Sequence, residues 1–253
     1  MVNFKLFAKK VFGNSPSEMD FFLDCKNGNL NKNKIHDYLL HYRVDINTQF
    51  AGKELATTGS DGNTPLMFYL KSLHCELDIV QFMIEQGASI NHQSKCGHTP
   101  THSLAYGKST DKLKILELLK KNGADFDLQN KSGEPCIAPY IRNGSANEVD
   151  YILNNSLLTK QILEDCPFPF GRSVLHEIIL QISHGFSWRV DEQIKVLELL
   201  LQKKFDVNKR TKSAPHNTPL KYLRTFNNRK YNELLNYFQY IEELLIKHGA
   251  IDL

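Results

Sequence analysis

The 253-residue chain has little of what marks a membrane protein, a disulfide-stapled secreted domain or a common enzyme. No apolar run approaches the ~18 residues of a spanning helix. The first residues, MVNFKLFAKKVFGNSP, break their apolar stretch with lysines, so the hydrophobic core of a secretory signal is missing and a cytoplasmic location is expected. Cysteines number only five (25, 75, 96, 136, 166), widely spread and odd in count, which argues against a disulfide framework and for reduced thiols. The phosphate loop G-x-x-x-x-G-K-[ST], the dinucleotide turn G-x-G-x-x-G, the nucleophile elbow G-x-S-x-G and the zinc motif H-E-x-x-H are all missing. No cofactor is therefore expected. Arginine is scarce beside lysine (7 against 24) and asparagine is frequent (21), a bias that reads as an A+T-rich genome and not as chemistry.

What the chain does have is internal repetition. Thr64-Pro65 in DGNTPLMFYL returns as Thr99-Pro100 in CGHTPTHSLA and as Thr218-Pro219 in PHNTPLKYL. SGEPCIAPY and FGRSVLHEII hold looser copies. About two helices after these starts comes a second landmark: FMIEQGASIN, LLKKNGADFD, LLLQKKFDVN and LLIKHGAID, with YLLHYRVDIN as an earlier copy. Thr suits an N-cap, because its hydroxyl accepts from an orphan N–H of the first turn. Pro loses nothing in the next position. Gly62 and Gly97 suit tight turns, and Gly87, Gly123 and Gly249 suit helix ends. Between them Leu77, Val80, Met83 and Ile84, or Ile115, Leu116, Leu118 and Leu119, repeat at helical spacing. A single unit cannot bury such a face, but stacked neighbours can.

These pieces resemble the ankyrin repeat family, with its G-x-T-P-L-H-x-A and L-L-x-x-G-A-D-x-N signatures, over about residues 19–253. The resemblance implies an all-α solenoid of about six helix-turn-helix repeats joined by β-hairpin or loop fingers. The copies fall near 19–47, 61–94, 95–130, 131–168, 169–212 and 214–253. Residues 1–18 read as a tail or capping helix, with Phe4, Phe7 and Val11 on one face. An interfacial membrane helix is the alternative reading. The fourth copy departs most, and LLTKQILED is expected to add a helical turn before CPFPFG. The fifth and sixth carry insertions that either lengthen their helices or add a loop.

KCGHTPTHSLA places Cys96, His98 and His102 close together. Zinc would need further ligands, for which His74 and Cys75 one repeat earlier are the nearest candidates. Repeat phase alone explains His102, which occupies the family's motif histidine and braces the turn, as His176 does in SVLHEI. No metal is assigned.

The resemblance implies a non-enzymatic scaffold that grips a partner protein with its fingers and first helices. By position the exposed candidates are Ser60, Asp61, Asn63 and Lys71; Lys95, His98, Tyr106 and Gly107; and Phe170 and Arg172. Lys209, Arg210 and Lys212 on the last finger, with Lys221 and Arg224 on the following helix, complete the set. Phe170 and Trp188 are the expected hot spots. Residues 203–230 hold nine basic residues against one acid, a net +8 in a chain of net +3, so an acidic partner is expected at the C-terminal repeats. Without interleaved aromatics or a known motif the stretch does not read as a nucleic-acid site. A monomer is expected. Inserts and Lys/Asn bias are similar to ankyrin proteins that intracellular bacteria secrete into host cells as effectors, without a cleaved signal. Two alternatives stay open: an anionic-membrane or acidic-surface binder using 203–230, and an enzyme using Cys136 or Cys166 of the fourth repeat.

Overall fold

The computed structural model describes residues 16–51, 61–165, 167–184, 187–213, 217–226 and 234–251. Residues 1–15 of the expected 1–18 cap, Ser60, Cys166, His216, Arg229 and Lys230 lie outside them, as does the side chain of Trp188. The chain divides into two compact units, Met1–Ser132 and Gly133–Leu253.

The first unit holds three helix pairs. They are α1 (Pro16–Asn27) with α2 (Lys32–His36), α3 (Pro65–Leu70) with α4 (Leu77–Glu85), and α5 (Pro100–Tyr106) with α6 (Lys112–Lys121). After α2 the chain closes with a π-helical turn, Asp37–His41. First helices pack in one row, α1 on α3 on α5, and second helices in another, α2 on α4 on α6. Phe22, Phe50 and Phe68 meet between α1 and α3, with ring centroids 5.2–5.5 Å apart.

The second unit follows the same plan with α7 (Ala138–Asn143) and α8 (Ala146–Asn154), α10 (Val174–His184) and α11 (Ser187–Gln202), and α12 (Pro219–Arg224) and α13 (Leu235–Lys247). The extra turn of the fourth repeat is α9, Thr159–Glu164, as its sequence implied. The fifth repeat's insertion lengthens both helices: α10 has 11 residues and α11 has 16, against six and nine in α3 and α4.

Helix starts follow from their threonines. Thr99 and His102 form a reciprocal capping box: the threonine accepts from the His102 amide, and His102 Nδ1 accepts from the Thr99 amide at 3.2 Å. Lys221 donates its amide to Thr218. In the second repeat Met67 stands where the histidine would be, and the buried Thr64 hydroxyl has no partner among the described residues.

Most second helices here are followed by one residue at positive φ, the common helix-ending conformation. Gly87, Gly123 and Gly249 supply it at φ 88°, 92° and 90°. Arg43 and Lys204 hold the same place at φ 51° and 59°, so the fold imposes the left-handed turn where the glycine is missing.

In three places an asparagine four residues later ties one repeat to the next. Asn91 donates Nδ2–H to the Gly123 carbonyl at 2.8 Å and accepts the Asp125 amide at 2.9 Å. Asn47 does the same to Gly87 and Ser89, and Asn208 to Gly249 and Ile251.

Of the two forms expected for the fingers, hairpin or loop, the loop is found. Among the described residues no strand forms, and an isolated antiparallel bridge joins Phe168 to Arg172. The fingers are too short for ladders, and each spends its backbone groups on its neighbour instead. Lys95 N–H donates to the Asp61 carbonyl at 3.0 Å, Lys131 to Cys96 at 3.0 Å and Lys212 to Gly171 at 2.8 Å. This close approach is why Gly97 must be glycine: a Cβ there would lie 2.6 Å from the Lys131 nitrogen.

Candidate functional site

In the first unit the fingers present a paired surface. Lys95 Nζ reaches Asp61 Oδ2 at 2.8 Å, so these two candidates neutralise each other. The His98 ring, half-buried, stacks on His102 with centroids 5.3 Å apart and sits 6.4 Å from Tyr106, which is well exposed. His102 is buried and committed to Thr99, so its nitrogen braces the turn. Among the described residues no group of three or more His, Cys, Asp or Glu side chains is placed to hold a metal.

Two of the first unit's candidates are corrected. Asn63 is fully buried, not exposed, because the residue before the N-cap turns under the finger and gives its carbonyl to the Phe50 amide. Gly107 is likewise buried, since its chain runs against the Leu70 carbonyl. Lys71 is half-buried, and burial lowers its pKa.

In the second unit the finger Phe168–Arg172 is built differently. Phe170 is 76% exposed and sits at φ 62°, ψ 22°, a left-handed conformation rare for an aromatic residue. Its carbonyl accepts from the Ser213 hydroxyl, and the next carbonyl, of Gly171, accepts the Lys212 amide. The finger is thus bolted to the one after it.

Below the finger lies a charge network the sequence reading missed. Glu177 is 2% exposed. Its Oε2 accepts from Arg172 Nη2 at 3.0 Å, and its Oε1 from Arg142 Nε at 2.8 Å and Gln181 Nε2 at 3.1 Å. Arg142 also forks onto Glu134. The Arg142 guanidinium lies 5.4 Å from the Phe168 ring and that of Arg172 5.5 Å from the Phe170 ring. Arg172, expected as an exposed contact, therefore points inward as a support. The available signal was an acid inside the apolar run SVLHEIIL, a placement that demands a buried cation.

The basic stretch is partly spent. Lys203 bridges to Asp150 at 2.7 Å and Arg224 to Glu242 at 2.6 Å. Lys209 is half-buried; Arg210, Lys212 and Lys221 are exposed. His176, buried beneath this surface, has Nδ1 2.8 Å from the Ser173 hydroxyl and Nε2 2.8 Å from the Asn217 carbonyl. Burial, aided by repulsion from Arg172, lowers its pKa to about 4.

Among the described residues Cys25, Cys75 and Cys136 are buried and Cys96 is exposed. Cys136 is fully buried, and burial with the nearby Glu76 raises the Cys75 pKa to about 12. No helix among the described residues is long and apolar enough to cross a membrane.

Comparison with known proteins agrees with this geometry. Residues 21–130 match the family model for ankyrin repeats, in three copies. An ankyrin repeat protein of Rickettsia felis is 31% identical over 109 residues, 42% of this chain and 45% of the relative, so the match spans about half the relative's length. The crystal structure of an ankyrin repeat domain from Acinetobacter baumannii superposes with a TM-score of 0.60 at 20% identity, covering 92% of this chain and all of that one. A chain from the complex of a Bdellovibrio bacteriovorus predatory endopeptidase with its immunity protein gives 0.55 at 20% identity, covering 86% and 96%. The sequence match ends within the first unit, and the irregular second unit is related through its fold. Residues 21–130 carry the sequence signature of ankyrin repeats, and the helix pairs of both units share the fold of an ankyrin repeat domain.

Proposed function

We propose that this chain is a non-enzymatic scaffold that binds a partner protein through its fingers, with Phe170 as the principal anchor. Ankyrin repeats are generally protein–protein interaction modules. One observation carries the reading: an exposed aromatic ring held at positive φ on a finger whose carbonyls and flanking arginine are all tied down. Backbone strain of this kind is kept where it serves a function. A ring fixed before binding loses little entropy on binding.

Arg210, Lys212 and Lys221 add positive charge, so the partner surface is an apolar pocket rimmed by carboxylates. The protein acts as a monomer in the cytoplasm of a cell, and a bacterial effector working on a host protein is the setting this proposal favours.

Affinity capture from a eukaryotic lysate tests it, comparing wild type with Phe170→Ala and with the triple Lys209→Glu, Arg210→Glu, Lys212→Glu. A partner retained by wild type and lost from both variants supports the reading. A partner retained equally by all three contradicts it.

A further inference from the structure

The first unit contains an open cleft of about 950 Å³ at the edge away from its fingers. It lies over the turns that follow α3 and α5, between α4 and α6. We infer that this cleft is a second docking site, for an amphipathic helix of a protein partner carrying acids along one edge and bases along the other.

The floor is apolar and rigid. Leu73 is 59% exposed, and Leu77 and Leu118 are partly exposed beside it. Ser109 Oγ stitches the two turns together by donating to the Cys75 carbonyl at 2.8 Å, and the Glu76 amide pins the first turn to α3 by donating to the Tyr69 hydroxyl at 3.2 Å. Gly107 leaves no room for a Cβ, which would fall 2.1 Å from the Leu70 oxygen. The cleft is thus fixed before anything binds, and a fixed site saves ordering cost.

The walls carry unspent charge of opposite sign. Glu76 and Asp78 stand on the α4 side, and on the α6 side Lys108 and Lys121 outnumber Glu117. Neither pair makes a side-chain hydrogen bond or ion pair among the described residues, whereas Lys114 and Asp111 in the same cleft satisfy each other at 2.7 Å. A helix is about 10–12 Å across, and a helix in a groove places apolar side chains at every third or fourth position on the floor. Its basic edge then meets Glu76 and Asp78, and its acidic edge meets Lys108 and Lys121. The site involves no finger residue and stands independently of the anchor proposed above.

Three stapled helices of about 16 residues (~24 Å) test this by fluorescence anisotropy. All carry leucines on one face; one has lysines on one edge and glutamates on the other, one has lysines on both, one glutamates on both. The mixed helix is expected to bind wild type at least ~10-fold tighter than either of the others. Leu73→Glu should abolish binding, while Leu157→Glu, at a still more exposed leucine in the second unit, should not. The double variant Glu76→Lys, Asp78→Lys should transfer the preference to the helix with glutamates on both edges. Equal affinity for the three helices, no measurable binding of the mixed one, or binding unaffected by Leu73→Glu would overturn the inference.

Discussion

Arg172 donates to Glu177 at 3.0 Å while its guanidinium lies 5.5 Å from the exposed Phe170 ring, so a buried carboxylate reaches through one arginine to the tip of a finger. Glu177 also holds Arg142, and both arginines are largely covered. Removing the shared acid leaves two cations underpaired in a poorly solvated place. Glu177→Ala should therefore cost about 3 kcal/mol, in the range for breaking buried ion pairs. Urea denaturation checks this; a loss under ~1 kcal/mol would place the network at the level of a surface salt bridge.

Phe170 should show a trade between stability and binding. A bulky side chain at left-handed φ costs roughly 1–2 kcal/mol. Phe170→Gly is expected to raise stability by about 1 kcal/mol while removing partner capture. A variant that loses stability would show that the ring contributes packing the geometry does not reveal.

The inter-repeat asparagines offer a cleaner test of the stacking. Asn91→Ala removes one donated and one accepted bond to the next repeat, and should cost about 1–2 kcal/mol. Lys204→Gly should go the other way, stabilising by about 1 kcal/mol, because it restores glycine to a left-handed position. Thermal melts of the two variants against wild type decide both.

Stability should fall in mild acid through His176. Its pKa is 6.5 unfolded and about 4 folded. Between these values the unfolded chain binds a proton that the folded chain refuses, so stability rises with pH across the window. The contribution is fully present above about pH 6.5 and disappears toward pH 4, for a total of about 3 kcal/mol. His176→Gln should flatten that part of the profile in a pH series of urea midpoints.

The regular parts of this fold were legible because single residues dictate them. Thr-Pro pairs located α3, α5 and α12, glycines located the helix ends, and TKQILE announced α9. The finger surface was less legible, since exposure depends on what lies above a residue and not on its type. Asn63 looked like a finger contact and is buried, and Arg172 looked like a contact and is a strut. Phe170 was identified as a candidate, but its left-handed backbone is imposed by the Phe168–Arg172 bridge and the following finger, which no local pattern encodes. The cleft was illegible for the same reason: Leu73 and Lys108 become neighbours only when two repeats stack.

The most direct measurement is the dissociation constant of the captured partner for wild type and for Phe170→Ala, by titration calorimetry at low and high salt. An anchor ring predicts a loss of at least ~30-fold, about 2 kcal/mol, that is the same at both salt concentrations. An unchanged dissociation constant would contradict the account, because it would leave the most exposed and most constrained ring of the finger surface outside the interface.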